Sequence, residues 1–256
     1  MKPTHYFSFL ISLILPGILF GQVNETPFQK ATRLKNEHRF EESFALFRQL
    51  LKNDSGNVDY LTNTSFLFCK IGNREKQETT RQSYFHTAEY LAKKAIALND
   101  RSAEAHFDYA IALGRMTEFA GSKQKIANAK IIKTECERAI SLNPKLGGAY
   151  HVLGRWHRTV ADFNFIEKAM INALYGGVPE GGTMEAAIDC FAKAVKLEPN
   201  VKLNYYELAF TYYDRGKDKD DLYAKIWVKK AIEIPIKDED DRETQKKCLE
   251  LLKKVE

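Results

Sequence analysis

Residues 185–200 read EAAIDCFAKAVKLEPN, and the spacing inside this stretch decides the fold. Ala187, Phe191, Ala194 and Pro199 stand four, three and five positions apart. On a helix of 3.6 residues per turn the first three share one face. Two small side chains on that face let a second helix approach closely, and the phenyl ring between them fills the gap. Proline, with no amide hydrogen and a ring that clashes with the preceding turn, stops the helix.

The spacing returns along the chain. Ala88, Ala92, Ala95 and Asp100 occupy it in TAEYLAKKAIALND, and Ile132, Cys136, Ala139 and Pro144 in IIKTECERAISLNP. Weaker copies are Ser43, Phe47, Leu50 and Ser55, and Ala224, Val228, Ala231 and Ile236. Partner helices precede several of them, through Tyr109 and Ala110, through Tyr150, Leu153 and Gly154, and through Tyr205, Leu208, Ala209 and Tyr212. This is the signature of the tetratricopeptide repeat (TPR), so the sequence predicts an all-α, TPR-like α-solenoid of helical hairpins. Pro27 suits the first helical turn, and Gly72 and Gly216 are expected to end first helices. Glu243 to Val255 is expected to be a C-terminal capping helix, with Leu249, Leu252 and Val255 facing the array.

Repeats beginning near Val58, Ala103 and Gly147 run about 45, 44 and 55 residues against a norm of about 34, which predicts long intra-repeat inserts. One insert, ADFNFIEKAMINALYGG, carries an apolar stripe of Phe163, Ile166, Ala169, Met170 and Ala173 and is expected to form a helix able to cover an opening.

Composition narrows the function. The chain has 256 residues, 39 Lys+Arg against 34 Asp+Glu, 44% hydrophobic residues, 14 Gly and 7 Pro, which excludes disordered and collagen-like classes. The small positive balance is spread along the chain, so no nucleic-acid partner is expected. Cys69, Cys136, Cys190 and Cys248 stand apart inside apolar helical patterns and read as unpaired core thiols. No nucleophile elbow and no HExxH are present, so a non-enzymatic module without metal or cofactor is expected. Residues 176–183, GGVPEGGT, miss the phosphate-loop pattern because Gly182 stands where lysine is required; Thr183 reads instead as a helix cap. The run KDEDDR over 237–242 reads as a solvated link.

Lys2 and His5 precede an apolar run from Phe7 to Leu15, a Pro16-Gly17 break and a small Gly21. This is the layout of an export signal, giving a 1–21 signal peptide, a 22–256 TPR-like domain and a periplasmic or secreted location; an uncleaved anchor is the alternative. The run is shorter than the roughly 20 apolar residues of a span, and no transmembrane span is expected in the mature chain.

Residues 105–126, 153–200 and 205–217 resemble the regulator of microtubule dynamics family of TPR proteins. The specific part is the ordered set Gly114-Arg115, Ala120-Gly121, Leu153-Gly154-Arg155-Trp156 and Ala173-Leu174-Tyr175-Gly176. The resemblance implies a helical TPR-like domain and, as in some members, binding or transfer of phospholipid at membrane contact sites. Other members are associated with microtubules and mitochondria. This chain departs from them in its apparent export signal and in having no long acidic or coiled-coil region before the repeats, so an exported bacterial relative is expected and the microtubule role is not carried over.

First-helix positions of a TPR array face its concave wall. Here they supply Phe107, Ile111 and Arg115, then His151, Arg155 and Arg158, then Tyr206, Phe210 and Tyr213. The expected wall is apolar at both flanks with a cationic centre. Such a wall suits a phospholipid or fatty acid with Arg155, Arg115 and His151 near its head. The alternative is a docking groove for a protein or peptide in an envelope assembly. In a third reading the inserted helices pack against the wall and fill it.

Overall fold

A computed structural model describes residues 25–256 apart from 176 and 178, so the expected signal peptide lies outside the described residues. The described residues form helices only: α1 (Pro27–Asn36), α2 (Phe40–Asn53), α3 (Val58–Gly72), α4 (Glu78–Leu98), α5 (Ala103–Met116), α6 (Ser122–Leu142), α7 (Gly147–Ala161), α8 (Phe165–Tyr175), α9 (Met184–Leu197), α10 (Lys202–Arg215), α11 (Asp220–Glu233) and α12 (Glu239–Val255), with a 3₁₀ turn at Thr117–Phe119. Hairpins α1/α2, α3/α4, α5/α6, α7/α9 and α10/α11 stack in order, and α12 closes the last of them.

The small-residue positions do what their spacing implied. Ala88, Ala92, Ala95, Cys136, Ala139, Ala187, Ala194, Ala224 and Ala231 are fully buried, as are the space-filling Phe47, Phe85 and Phe191. Buried polar groups staple partners together: Ser43 Oγ donates to the Ala31 carbonyl and Ser65 Oγ to the Ala88 carbonyl, each at 2.8 Å. The Trp156 indole donates to the Ala129 carbonyl at 2.7 Å. Pro27 opens α1 behind a Thr26 capping box, and Thr183 caps α9 by accepting from the Ala186 amide at 3.1 Å. Gly216 ends α10 in the left-handed conformation at φ 62°.

Five sequence expectations are corrected. Gly72 lies inside the last turn of α3 and serves close approach, since a Cβ there would stand 2.7 Å from the Tyr84 Cβ. Helix α12 buries Cys248, Leu251 and Val255 and leaves Leu249 45% exposed, a register one residue away from the expected face. The inserts are chiefly longer second helices: α4 and α6 have 21 residues where α2, α9 and α11 have 14. Helix α8 packs on the outer helix α6; it buries Ile171, whereas Phe165, Ile166, Met170 and Leu174 stand 54% or more exposed. It therefore does not close the concave wall.

The run 237–242 is not a solvated link. Asp238 Oδ1 accepts from the Asp241 amide as the N-cap of α12, while its Oδ2 lies 2.7 Å from His38 Nδ1, 200 residues away. Asp240 pairs with Lys70 at 3.0 Å and with Arg74 at 3.4 Å. The two ends of the array meet.

Candidate functional site

Helices α3, α5, α7, α10 and α12 adjoin one another in that order and form the inner wall. Residues three and four apart share a helix face, so α7 presents His151, Arg155 and Arg158 together, and α10 presents Asn204, Glu207 and Thr211 beside them. Arg158 reaches Glu207 Oε2 at 2.6 Å and donates to Thr211 Oγ1 at 3.0 Å. Its guanidinium also lies over the rings of Phe191 and Phe210, 5.6 and 5.0 Å from their centroids. Burial works to raise the Glu207 carboxyl, but the charges of Arg158 and other neighbours hold it below the usual carboxylate range. Arg158 is thus committed to the fold.

His151 is likewise occupied. Its Nδ1 lies 2.7 Å from Asn204 Oδ1, and its ring meets Phe191 edge-on at 5.7 Å. Burial pushes its pKa down to about 4, so it is neutral at pH 7 and supplies no charge to an anion. Asn204 in turn points its amide at Glu198 Oε2, 3.4 Å away, while Glu198 Oε1 accepts from the Gly148 amide at 2.9 Å and completes a chain of polar contacts from α7 to α10.

Arg115 and Arg155 are different. Arg155 is 54% exposed and approaches Glu207 only to 3.9 Å; Arg115 is 30% exposed and approaches Glu118 only to 3.7 Å. Burial lowers the Arg115 pKa, and the charge of Arg155, carried on the adjacent helix α7, lowers it further. Two like charges without a dedicated carboxylate favour an incoming anion, which guanidinium binds through paired N–H donors.

The apolar flanks are less available than the spacing implied. A Cβ at Gly148 would stand 2.5 Å from the Phe107 ring, so this ring fills the α5/α7 contact. Ile111 packs against the Cys69, Phe85, Ala88 and Ala112 cluster. Tyr206, Phe210 and Tyr213 lean on the Ala209, Val228 and Cys248 cluster, with Tyr206 stacked on Phe210 at 6.0 Å. Two shallow surface concavities, about 520 and 380 Å³, lie on α4 (Gln82, His86, Tyr90) and α1 (Phe28, Thr32, Arg33), away from these residues.

Several wall residues escaped the sequence reading. Asp108 is 3% exposed, with burial pushing its carboxyl well above the usual range and only Lys35 opposing this. Lys35 itself hydrogen-bonds Asn63 of α3. No helical periodicity in α5 distinguishes Asp108 from a surface acid, and its partner is more than 70 residues away. Among the described residues no cluster of three potential metal ligands occurs, and burial raises the thiols of Cys69, Cys190 and Cys248 to about 12, 11 and 11, which leaves them poor nucleophiles. No helix among the described residues is long and apolar enough to cross a membrane.

Comparison with known proteins places this architecture. The profile of the family described as regulator of microtubule dynamics protein 1-3 matches residues 28–256. The chain belongs to that family. Regulator of microtubule dynamics protein 1 of Bos taurus is 35% identical over 178 residues, covering 69% of this chain and 55% of the relative. Regulator of microtubule dynamics protein 3 of Mus musculus is 28% identical over 209 residues, covering 80% of this chain and 44% of the relative. The chain therefore spans about half the length of the curated relatives it matches. Among solved structures, a thermophilic TPR protein of Thermus thermophilus covers 87% of this chain and 97% of its own at a TM-score of 0.60 and 17% identity, a likeness of fold alone. This member of the regulator of microtubule dynamics family is thus an all-α, TPR-like binding module, and two of the sequence pairs singled out above fall on wall helices: Gly114-Arg115 lies in the last turn of α5 and Gly154-Arg155 mid-way along α7.

Proposed function

We propose that this module is a non-enzymatic dock for an acidic protein segment, received on the inner wall by Arg115 and Arg155. The observation that carries the reading is the presence of these two cations on adjacent first helices, with no carboxylate among the described residues closer than 3.7 Å to either. The same pair suits the head of a phospholipid or fatty acid, but a lipid also needs an enclosed apolar chamber for its tail. The flanking Phe107, Ile111 and Phe210 are engaged in helix packing, and α8 lies on the outer side, so the open-groove reading has the better support. In this reading residues 1–21 export the chain, and docking takes place in an envelope assembly; the mass of the purified mature chain tests the cleavage.

Fluorescence anisotropy of a labelled hexaglutamate peptide with the full chain tests the dock. Each charge-assisted bond contributes about 1.5–3 kcal/mol, so Arg115→Glu/Arg155→Glu should weaken binding at least about tenfold while leaving circular dichroism unchanged. Equal binding by the variant overturns the reading. A stoichiometric lipid in an organic extract of the purified chain replaces it with the lipid carrier.

A further inference from the structure

The meeting of the two ends of the array differs in kind from the contacts between neighbouring hairpins. Neighbouring hairpins share apolar clusters, for instance Ala110, Leu113, Ile132, Cys136 and Trp156 between α5, α6 and α7. The cluster holding the C-terminal half of α12 draws only on α10 to α12, and the N-terminal cluster of Ala31, Phe40, Phe44, Phe47 and Leu67 only on α1 to α4. The start of α12 meets the first hairpins through polar contacts: His38 with Asp238 at 2.7 Å, Lys70 with Asp240 at 3.0 Å, and Arg74 with Asp238 and Asp240 at 3.5 and 3.4 Å. Arg74 has one further partner, Glu41 at 3.2 Å.

The basic half of this contact is assembled from separate elements. Lys70 and Arg74 come from the end of α3 and the turn after it, one helical repeat apart, and both lie over the Phe40 ring at 5.1 and 5.2 Å. His38 comes from the α1/α2 turn and is held at φ 62°, a left-handed conformation that costs a residue with a Cβ. That cost places the imidazole where it meets an incoming carboxylate. The acidic half is an Asp-x-Asp sequence at the start of a helix.

We infer that His38, Lys70 and Arg74 form a second carboxylate-binding site, whose resident ligand is this chain's own Asp238 and Asp240, and that an acidic segment of a partner protein exchanges with it and opens the ring. The inference deepens the reading of the inner wall as an acidic-segment dock, because Asp240 also acts on the charge of Arg115. A partner's acidic segment competes with this run for His38, Lys70 and Arg74. Exchange is feasible because the pairs of Lys70 and Arg74 with Asp240 are partly exposed, and such ion pairs are weak and salt-sensitive, whereas the apolar anchor of α12 at Cys248, Leu251 and Val255 stays in place.

A synthetic peptide with the sequence of residues 236–243, IKDEDDRE, is the probe. Asp238→Asn/Asp240→Asn removes the resident charges, and asparagine keeps the α12 cap, so the variant should fold. If the closed ring occupies nine-tenths or more of the population, the variant should bind the peptide about tenfold more tightly than the wild type. Adding Lys70→Glu/Arg74→Glu should abolish that gain. Spin labels at Glu42 and Arg242, both exposed, should move apart in Asp238→Asn/Asp240→Asn. No gain in affinity in a folded variant overturns the inference. A gain that survives Lys70→Glu/Arg74→Glu and disappears with Arg115→Glu/Arg155→Glu also overturns it, while leaving the inner-wall dock standing. Binding that needs neither pair removes both.

Discussion

Gly154 in α7 lies flush against the ring of Phe191 in α9: a Cβ on Gly154 would stand 2.9 Å from the nearest ring carbon. Phe191 is fully buried and has nowhere to retreat. Gly154→Ala should therefore destabilise the chain by about 1–3 kcal/mol, overpacking outweighing the gain of up to about 1 kcal/mol that alanine brings to a helix. Gly114, one hairpin earlier, has nothing within 4 Å of its would-be Cβ, and Gly114→Ala should stabilise by about 0.5–1 kcal/mol. Urea unfolding of the two variants reads both signs; a stabilised Gly154→Ala would refute the packing argument.

Arg158 and Arg155 look alike in sequence, one turn apart on the same face, yet only one is structural. The Arg158 and Glu207 side chains are 16% and 8% exposed and lie 2.6 Å apart, so Arg158→Ala strands a buried carboxylate and should cost about 3–5 kcal/mol. Arg155→Ala, on a side chain 54% exposed, should stay within about 0.5 kcal/mol of the wild type. Denaturant midpoints compare them directly, and similar losses in the two would show that Arg158 is not the buried partner of Glu207.

The hairpins were legible because close packing between consecutive helices needs small residues at fixed spacing, and Ala187, Phe191 and Ala194 carry that need in one line of sequence. Arg115 and Arg155 were legible for the same reason, as wall positions of a known period. The clasp was not. Its partners His38 and Asp238 are 200 residues apart, and their meeting depends on the accumulated curvature of five hairpins, which no local pattern records. The α8 stripe misled because an 11-residue helix of apolar composition fits either a covered or an exposed seat, and only the path of the chain out of α7 selects between them.

That seat gives a third prediction. Phe165 is 85% exposed and Ile171 is 8% exposed on the same short helix. Phe165→Ser should leave stability unchanged within about 0.5 kcal/mol, whereas Ile171→Ala should cost about 2 kcal/mol or more if α8 is docked through that side chain. Thermal unfolding of both variants checks this, and a large loss for Phe165→Ser would mean that the outer face of α8 is covered.

His151 makes stability fall on the acid side. Its folded pKa is pushed down to about 4, against about 6.5 for an unfolded histidine, so between these values the unfolded chain takes up a proton that the folded chain refuses. The contribution is intact above pH 6.5 and is lost as pH falls towards 4. Asparagine at position 151 retains an amide donor for Asn204, so His151→Asn should flatten this part of the pH profile in urea titrations at pH 7 and 5. An equally steep loss in the variant would assign the acid sensitivity elsewhere.

Asp108 acts in the opposite direction. Burial raises its folded pKa above the unfolded value of about 3.9, opposed only in part by the charge of Lys35. The unfolded chain therefore releases this proton first, and stability declines as pH rises from about 4 until the folded group has also ionised. Asparagine fits the same space and does not titrate. Asp108→Asn should match the wild type near pH 4, gain on it as pH rises, and hold a constant advantage once the folded carboxyl is ionised. Unfolding free energies across pH 4 to 9 would trace that curve. A variant less stable than the wild type at pH 8 would mean that the attraction to Lys35 outweighs the cost of burying the charge, and that Asp108 holds the inner wall together instead of straining it.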